Sequence, residues 1–126
     1  MNIADAAWMA GLFEGEGCMT IRPSKNYCQL QLKMTDEDVV MRFAALAGVP
    51  QTFYIERPSP LKDAWLWQTG KREHVERLLT SMLPFFGERR STKAKQLLQF
   101  YNDRDNRNSE AAAITVGQLS QLGDQH

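Results

Sequence analysis

Between residues 29 and 34, polar Gln29, Gln31 and Lys33 alternate with apolar Leu30, Leu32 and Met34. This period of two predicts a strand with one wet and one buried face. The strand runs from Tyr27 to Thr35 and pairs with Cys18–Arg22 across the turn Pro23-Ser24-Lys25-Asn26. Before it, Ala4, Ala7, Trp8, Gly11 and Leu12 fall at helical spacing, with Asn2 or Asp5 to cap the start and Gly15 and Gly17 to end the helix. After it, Thr35 provides a hydroxyl cap and Asp36, Glu37 and Asp38 occupy the dipole-favoured first turn. A second helix follows, with Val39, Val40, Phe43, Leu46 and Ala47 inward and Gly48 closing it.

A second hairpin is predicted from Phe53–Arg57, a Pro-Ser-Pro turn and Ala64–Thr69, with Trp65 and Trp67 on one face. A third helix spans 71–83, burying Val75, Leu78, Leu79 and Met82, and a fourth spans roughly 89–101. Residues 102–110, NDRDNRNSE, read as a solvated linker. Ala111–Leu122 reads as a short helix with Ile114, Leu119 and Leu122 on one side, or as a mobile tail. The order α-β-β-α-β-β-α-α gives an α+β fold: one four-stranded antiparallel sheet, helices on its apolar face and the other face open.

The 126 residues suit one domain, here 1–101, followed by the 102–126 segment. A hydrophobic fraction of 43% with no long apolar run excludes a membrane span, and the N-terminus lacks the features of a targeting peptide. An intracellular, cytoplasmic location is therefore expected, with no secretion and no membrane partner. Two cysteines and two histidines make neither a disulfide framework nor a zinc site. Any metal would be a hard cation on carboxylate oxygen. Fifteen basic residues balance fifteen acidic ones. Residues 17–35, however, carry Arg22, Lys25 and Lys33 with no acid, so a neutral chain still presents a basic face.

Ala7, Gly11 and Gly15, four residues apart, form a flat strip along the first helix. Such a strip permits close approach of another helix, and two-fold pairing with a second copy would bring two copies of Glu14 and of Glu16 together. Carboxylates at a helix C-terminus are disfavoured by roughly 0.3–1 kcal/mol, which divalent cations would neutralise. From composition alone, Glu16 is a solvated charge at a helix end. Thr20, Arg22, Tyr27, Gln29, Gln31 and Lys33 form either an ordinary wet sheet face or a reader of base edges, glutamine suiting adenine and arginine or lysine guanine. Tyr54, Glu56 and Gln68 are weaker candidates because the strand phase there is not fixed. Trp8, Trp65 and Trp67 read as packing residues.

Met9–Gly17, MAGLFEGEG, resembles the nine-residue signature of the LAGLIDADG homing endonucleases. Ala10, Gly11, Leu12 and Gly17 match, Phe13 is a hydrophobic equivalent, and Glu14 and Glu16 stand where the family has aspartates. The element order, MTDEDVV and LPFFGERR also resemble the family, over residues 5–101. The resemblance implies a homodimeric, site-specific double-strand DNA endonuclease that lays its sheets as a saddle on a long pseudo-palindromic site. Magnesium would be the cofactor, with manganese able to substitute, calcium supporting binding only and no small-molecule cofactor.

Further, the resemblance implies that Glu16, with Gly15, holds metal, that Asp36 lies near the water pocket and that Arg89 falls where the family has a catalytic lysine or arginine, with the neighbouring Arg90 its alternative. Asp36 also serves the helix dipole. DNA contacts would come from Thr20, Arg22, Ser24, Tyr27, Gln29, Gln31, Lys33, Arg90 and Lys93. The dimer interface would use Ala7, Trp8, Gly11, Leu12, Glu14 and Gly15. A start at Met1 just before the motif suggests a free-standing protein encoded by an intron or phage. A DNA-binding protein with little cleavage and a maturase-like RNA binder are the alternatives.

Overall fold

In a computed structural model, the chain is described for the backbone of residues 1–124 and the side chains of residues 1–110. Its elements are α1 (Ile3–Glu16), β1 (Gly17–Arg22), a 3-10 turn (Pro23–Lys25), β2 (Tyr27–Met34) and α2 (Glu37–Ala47). They continue with β3 (Phe53–Ile55), β4 (Ala64–Thr69), α3 (Arg72–Met82), a second 3-10 turn (Leu83–Phe85) and α4 (Glu88–Asp124). The sheet is antiparallel in the order β1-β2-β4-β3, with helices on one side, as the sequence leads one to expect.

Asn2 caps α1, its Oδ1 accepting the Asp5 N–H at 2.8 Å. The helix continues through Gly15 and stops at Glu16, because the backbone becomes extended at Gly17. There the chain passes so close to the Phe13 ring that a Cβ on Gly17 would collide with it. In α2 the capping position belongs to Asp36, without a side-chain cap bond, so Thr35 is not the cap. Glu37 and Asp38 still place negative charge at the positive end of the helix dipole. Gly48, at φ 71°, closes α2 in the left-handed conformation, its N–H reaching the Ala44 and Ala45 carbonyls.

Strand register sorts the side chains. Leu30 faces Met19 and Thr69, and Leu32 faces Gly17 and Trp67, so these residues share the helix-covered side. At the centre of that side, Phe43 packs edge-on to Trp67 at 4.9 Å and stacks on Phe13 at 5.9 Å. Trp67 is fully buried and donates its Nε1–H to the Val49 carbonyl at 2.9 Å. β3 is three residues long and ends before Arg57, whose N–H leaves the ladder to bond Asp63 Oδ1 at 3.1 Å.

α4 crosses the back of β1 and β2. Tyr101, fully buried, accepts the Cys28 N–H on its hydroxyl at 3.0 Å. Burial pushes the Cys28 thiol up to about 11. Residues 102–110, expected as a linker, are instead helical and continuous with α4. Their polar sequence has fixed partners: Arg72 grips Asp105 bidentately at 2.5 and 2.6 Å, and Arg104 donates to the Asn26 carbonyl at 3.0 Å. The sidedness expected of Ile114, Leu119 and Leu122 lies outside the described side chains. Among the described residues, no helix is long and apolar enough to cross a membrane.

Candidate active site and nucleic-acid interface

The open sheet face receives Cys18, Thr20 and Arg22 from β1, and Tyr27, Gln29, Gln31 and Lys33 from β2. From the second hairpin, Gln68 lies beside Gln31, and Leu66 lies between Lys33 and Phe53. No strand position on this face is acidic. A hydrogen-bonded chain crosses its centre. Arg22 Nη2 donates to Gln29 Oε1 at 3.0 Å, while the Gln29 and Gln31 amides both donate to Gln68 Oε1, at 3.2 and 2.9 Å. These bonds order three amides into one array, which limits the rotamer entropy lost when they meet a ligand. Ser24 is exposed in the turn at the end of the hairpin. Tyr27 is half-buried against Gly70, where a Cβ would lie 2.7 Å from its ring.

Glu16 is exposed where α1 hands over to β1. It lines a cleft of about 250 Å³ with Lys33, Thr35, Asp36 and Arg57 among its walls. Glu16 and Asp36 are separated in sequence by a whole hairpin, and antiparallel pairing returns the end of β2 to the start of β1. Arg57 was not among the expected site residues. It is placed by its own hairpin loop, where its Nε donates to the Lys62 carbonyl at 2.6 Å. Tyr54 turns to the helix side opposite Trp65 and is therefore not on the open face. There its hydroxyl donates to Asp63, which raises the phenol above its usual range and lowers the carboxyl below its own.

The end of α1 is held from behind. No basic residue lies in its last turn, and Arg90 supplies one from α4, its Nε donating to the Glu14 carbonyl at 3.1 Å. The Gly87 N–H donates to Glu14 Oε1 at 3.1 Å, and a Cβ on Gly87 would stand 2.7 Å from that oxygen. Glu14 thus anchors the connection into α4. Its second oxygen is buried with no hydrogen-bond partner among the described residues. Of the two arginines weighed from sequence, Arg90 reaches the motif helix, while Arg89 is exposed beside Glu88 and Thr92 away from the cleft. Lys93 is half-buried on the helix side, within electrostatic reach of the Cys28 thiol.

The opposite flank of α1 bears the small-residue strip. A Cβ built on Gly11 or Gly15 would meet nothing within 4 Å. Trp8 and Leu12 beside it are half-buried, and the Arg42 guanidinium lies 4.0 Å over the Trp8 ring. Glu16 and Asp36 are hard oxygen donors of the kind magnesium takes, and they fit such an ion as part of a ligand set. Among the described residues, no group of three or more acidic, histidine or cysteine side chains could complete it.

Solved structures share this fold. The homing endonuclease I-CvuI, in complex with its target in the presence of 2 mM Ca, superposes with a TM-score of 0.57 at 18% identity, over 78% of this chain and 68% of that one. The same enzyme with the I-CreI target and 2 mM Mg, its DNA not cleaved, gives 0.58 at 18% identity over the same shares. The homing endonuclease I-TnaI gives 0.54 at 13% identity, over 75% of this chain and 69% of that one. No protein-family model and no curated protein matches the sequence. The chain has the fold of the LAGLIDADG homing endonucleases, the family that MAGLFEGEG resembles.

Proposed function

We propose that two copies of this chain form a site-specific, divalent-metal-dependent DNA endonuclease acting on a long, pseudo-palindromic duplex inside the cell. The observation that carries this reading is the meeting of Glu16 and Asp36 in one cleft at the rim of an acid-free sheet face. The outward strip supports the second copy. Alanine at Gly11 or Gly15 would meet nothing among the described residues and favour the helix by about 1 kcal/mol, so glycine there is best used against a surface beyond them, such as a second copy.

Glu16 of each copy, with Gly15 beside it, would hold a magnesium-type ion, with DNA phosphate oxygens completing the ligand set. When bound, the ion supplies Lewis acidity to the scissile phosphate and lowers the pKa of water. Asp36 faces the same cleft and orients the attacking water. Lys33 and Arg57 line the cleft as the cations that balance phosphate charge. Arg90 acts indirectly, fixing the helix end that carries Glu16. On the sheet, Gln29, Gln31 and Gln68 present amides suited to adenine N6 and N7, and Arg22 a fork suited to guanine.

The test is selection from a randomised duplex library, sequencing cleaved molecules in magnesium and bound molecules in calcium. Cleavage at a pseudo-palindromic site in magnesium, lost in Glu16→Gln while calcium-supported binding persists, is the expected result. Unchanged cutting by Glu16→Gln would remove that carboxylate from the chemistry. A second reading is DNA binding without cleavage, favoured by the incomplete acidic ligand set among the described residues, which selective binding in both ions with no cut product would establish.

A further inference from the structure

The two hairpins of the open face differ in kind. The first presents Thr20, Arg22, Gln29, Gln31 and Lys33, all able to hydrogen-bond. On the second, the register places Phe53 opposite Leu66 and Ile55 opposite Ala64, so β3 and β4 present an apolar strip beside the glutamine array. Phe53 is 40% exposed, and Leu66 and Ile55 are half-buried along a groove of about 340 Å³ that also reaches Glu16, Gln31 and Lys33. Phe53 and Gln68 also share the walls of a concavity of about 470 Å³ on the far side of the array. The strip is thus continuous with the polar reader and with the cleft.

The largest apolar group that the base edges offer at a major groove is the thymine C5-methyl. Apart from the small cytosine C5–H, the other major-groove edge groups are polar, and burying them against Phe, Ile and Leu leaves hydrogen bonds unmade. We infer that Phe53, Ile55 and Leu66 read thymine methyl groups, and that the adjoining glutamines take the adenines of the same pairs, so that the second hairpin selects A·T-rich sequence. An A·T pair displays both features side by side, adenine N6 and N7 next to the thymine methyl. The strip also separates DNA from RNA. Uracil lacks the methyl, and the A-form major groove is too deep and narrow for side chains to read. This inference rests on the open face being the DNA-binding surface proposed above.

The test uses the full chain and duplexes selected by it from a randomised library in calcium, resynthesised with deoxyuridine replacing thymidine one position at a time. Deoxyuridine keeps every hydrogen-bonding group and loses only the methyl. Binding is expected to weaken about fourfold at each thymine under the second hairpin, the equivalent of about 0.8 kcal/mol per buried methyl. Phe53→Ala should abolish the discrimination between thymidine and deoxyuridine at its position, whereas Gln31→Ala should weaken both duplexes alike. Phe53 lies on the exposed edge strand, and circular dichroism of the variant checks that it remains folded. Selective binding by the wild type that is indifferent to deoxyuridine everywhere overturns the inference and leaves the DNA-binding reading standing. Discrimination that survives in Phe53→Ala overturns the assignment to this strip. Failure to select any duplex removes both readings.

Discussion

One face of α1 carries Ala6, Met9, Ala10 and Phe13 into the core of its own subunit, while the neighbouring flank turns Gly11 and Gly15 toward open space. The inner face is valued for volume: Met9, Ala10 and Phe13 are fully buried, and Phe13 meets both Phe43 and Phe86. The outer face is valued for its lack of volume, which nothing among the described residues exploits. One fourteen-residue helix therefore serves two kinds of packing. Its sequence period shows that both stripes exist, but not which one the subunit itself consumes.

The strongest way to break this contrast is Phe13→Ala. Removing a fully buried ring is expected to cost about 3–5 kcal/mol, read as a shift of the urea midpoint, and a loss below about 1 kcal/mol would mean that the inner face is not core. Gly11→Val sharpens it from the other side. Among the described residues a Cβ at this position meets nothing within 4 Å, and valine changes helix propensity by less than about 0.5 kcal/mol. Thermal stability at low concentration should hardly move, whereas sedimentation should show a monomer in place of the proposed parent dimer. A dimer that survives the valine would place the interface elsewhere.

The same contrast recurs in α4 with a smaller effect. Up to Tyr101 the helix is held by buried apolar contact, and beyond it by the Arg72–Asp105 pair, whose side chains are 33% and 48% exposed. Arg72 holds the Asp105 carboxyl below the usual carboxylate range. A carboxyl depressed in the folded state contributes stability above its unfolded pKa and loses it as pH falls through its folded value. Amide exchange in residues 102–110 should therefore quicken in Asp105→Asn at neutral pH, with the difference from the parent vanishing in acid. Equal protection at neutral pH would mean that the pair does not hold this part of the helix.

How far the site was legible depends on how local each signal is. The motif helix, the alternation in β2 and the acidic start of α2 are patterns within a few residues, and each forms the expected element. Gln68 looked weak because only pairing with Gln31 sets its face. Arg57 left no local signal, since its place in the cleft comes from the hairpin loop and the return of β4 beside β2. The choice between Arg89 and Arg90 was open for a similar reason: they are adjacent in sequence, and a helix turns consecutive side chains by about 100°. Only the position of α4 against the end of α1 gives Arg90 the Glu14 carbonyl.

The sequence by itself determined the order of elements, the two-faced strands and the placing of Glu14 and Glu16 at the end of α1. These follow from short-range backbone sterics and from the periods of 3.6 and 2 at which side chains seek or avoid water. The tertiary structure decided which residues meet. It joined Asp36 to Glu16, gathered the Gln29 and Gln31 amides onto the Gln68 side-chain oxygen, set an apolar strip beside them and bound residues 102–110 into α4 through Arg72. Each of those contacts spans a long stretch of chain and depends on strand register and helix docking, which the summed packing of the whole core sets and no local window of sequence contains.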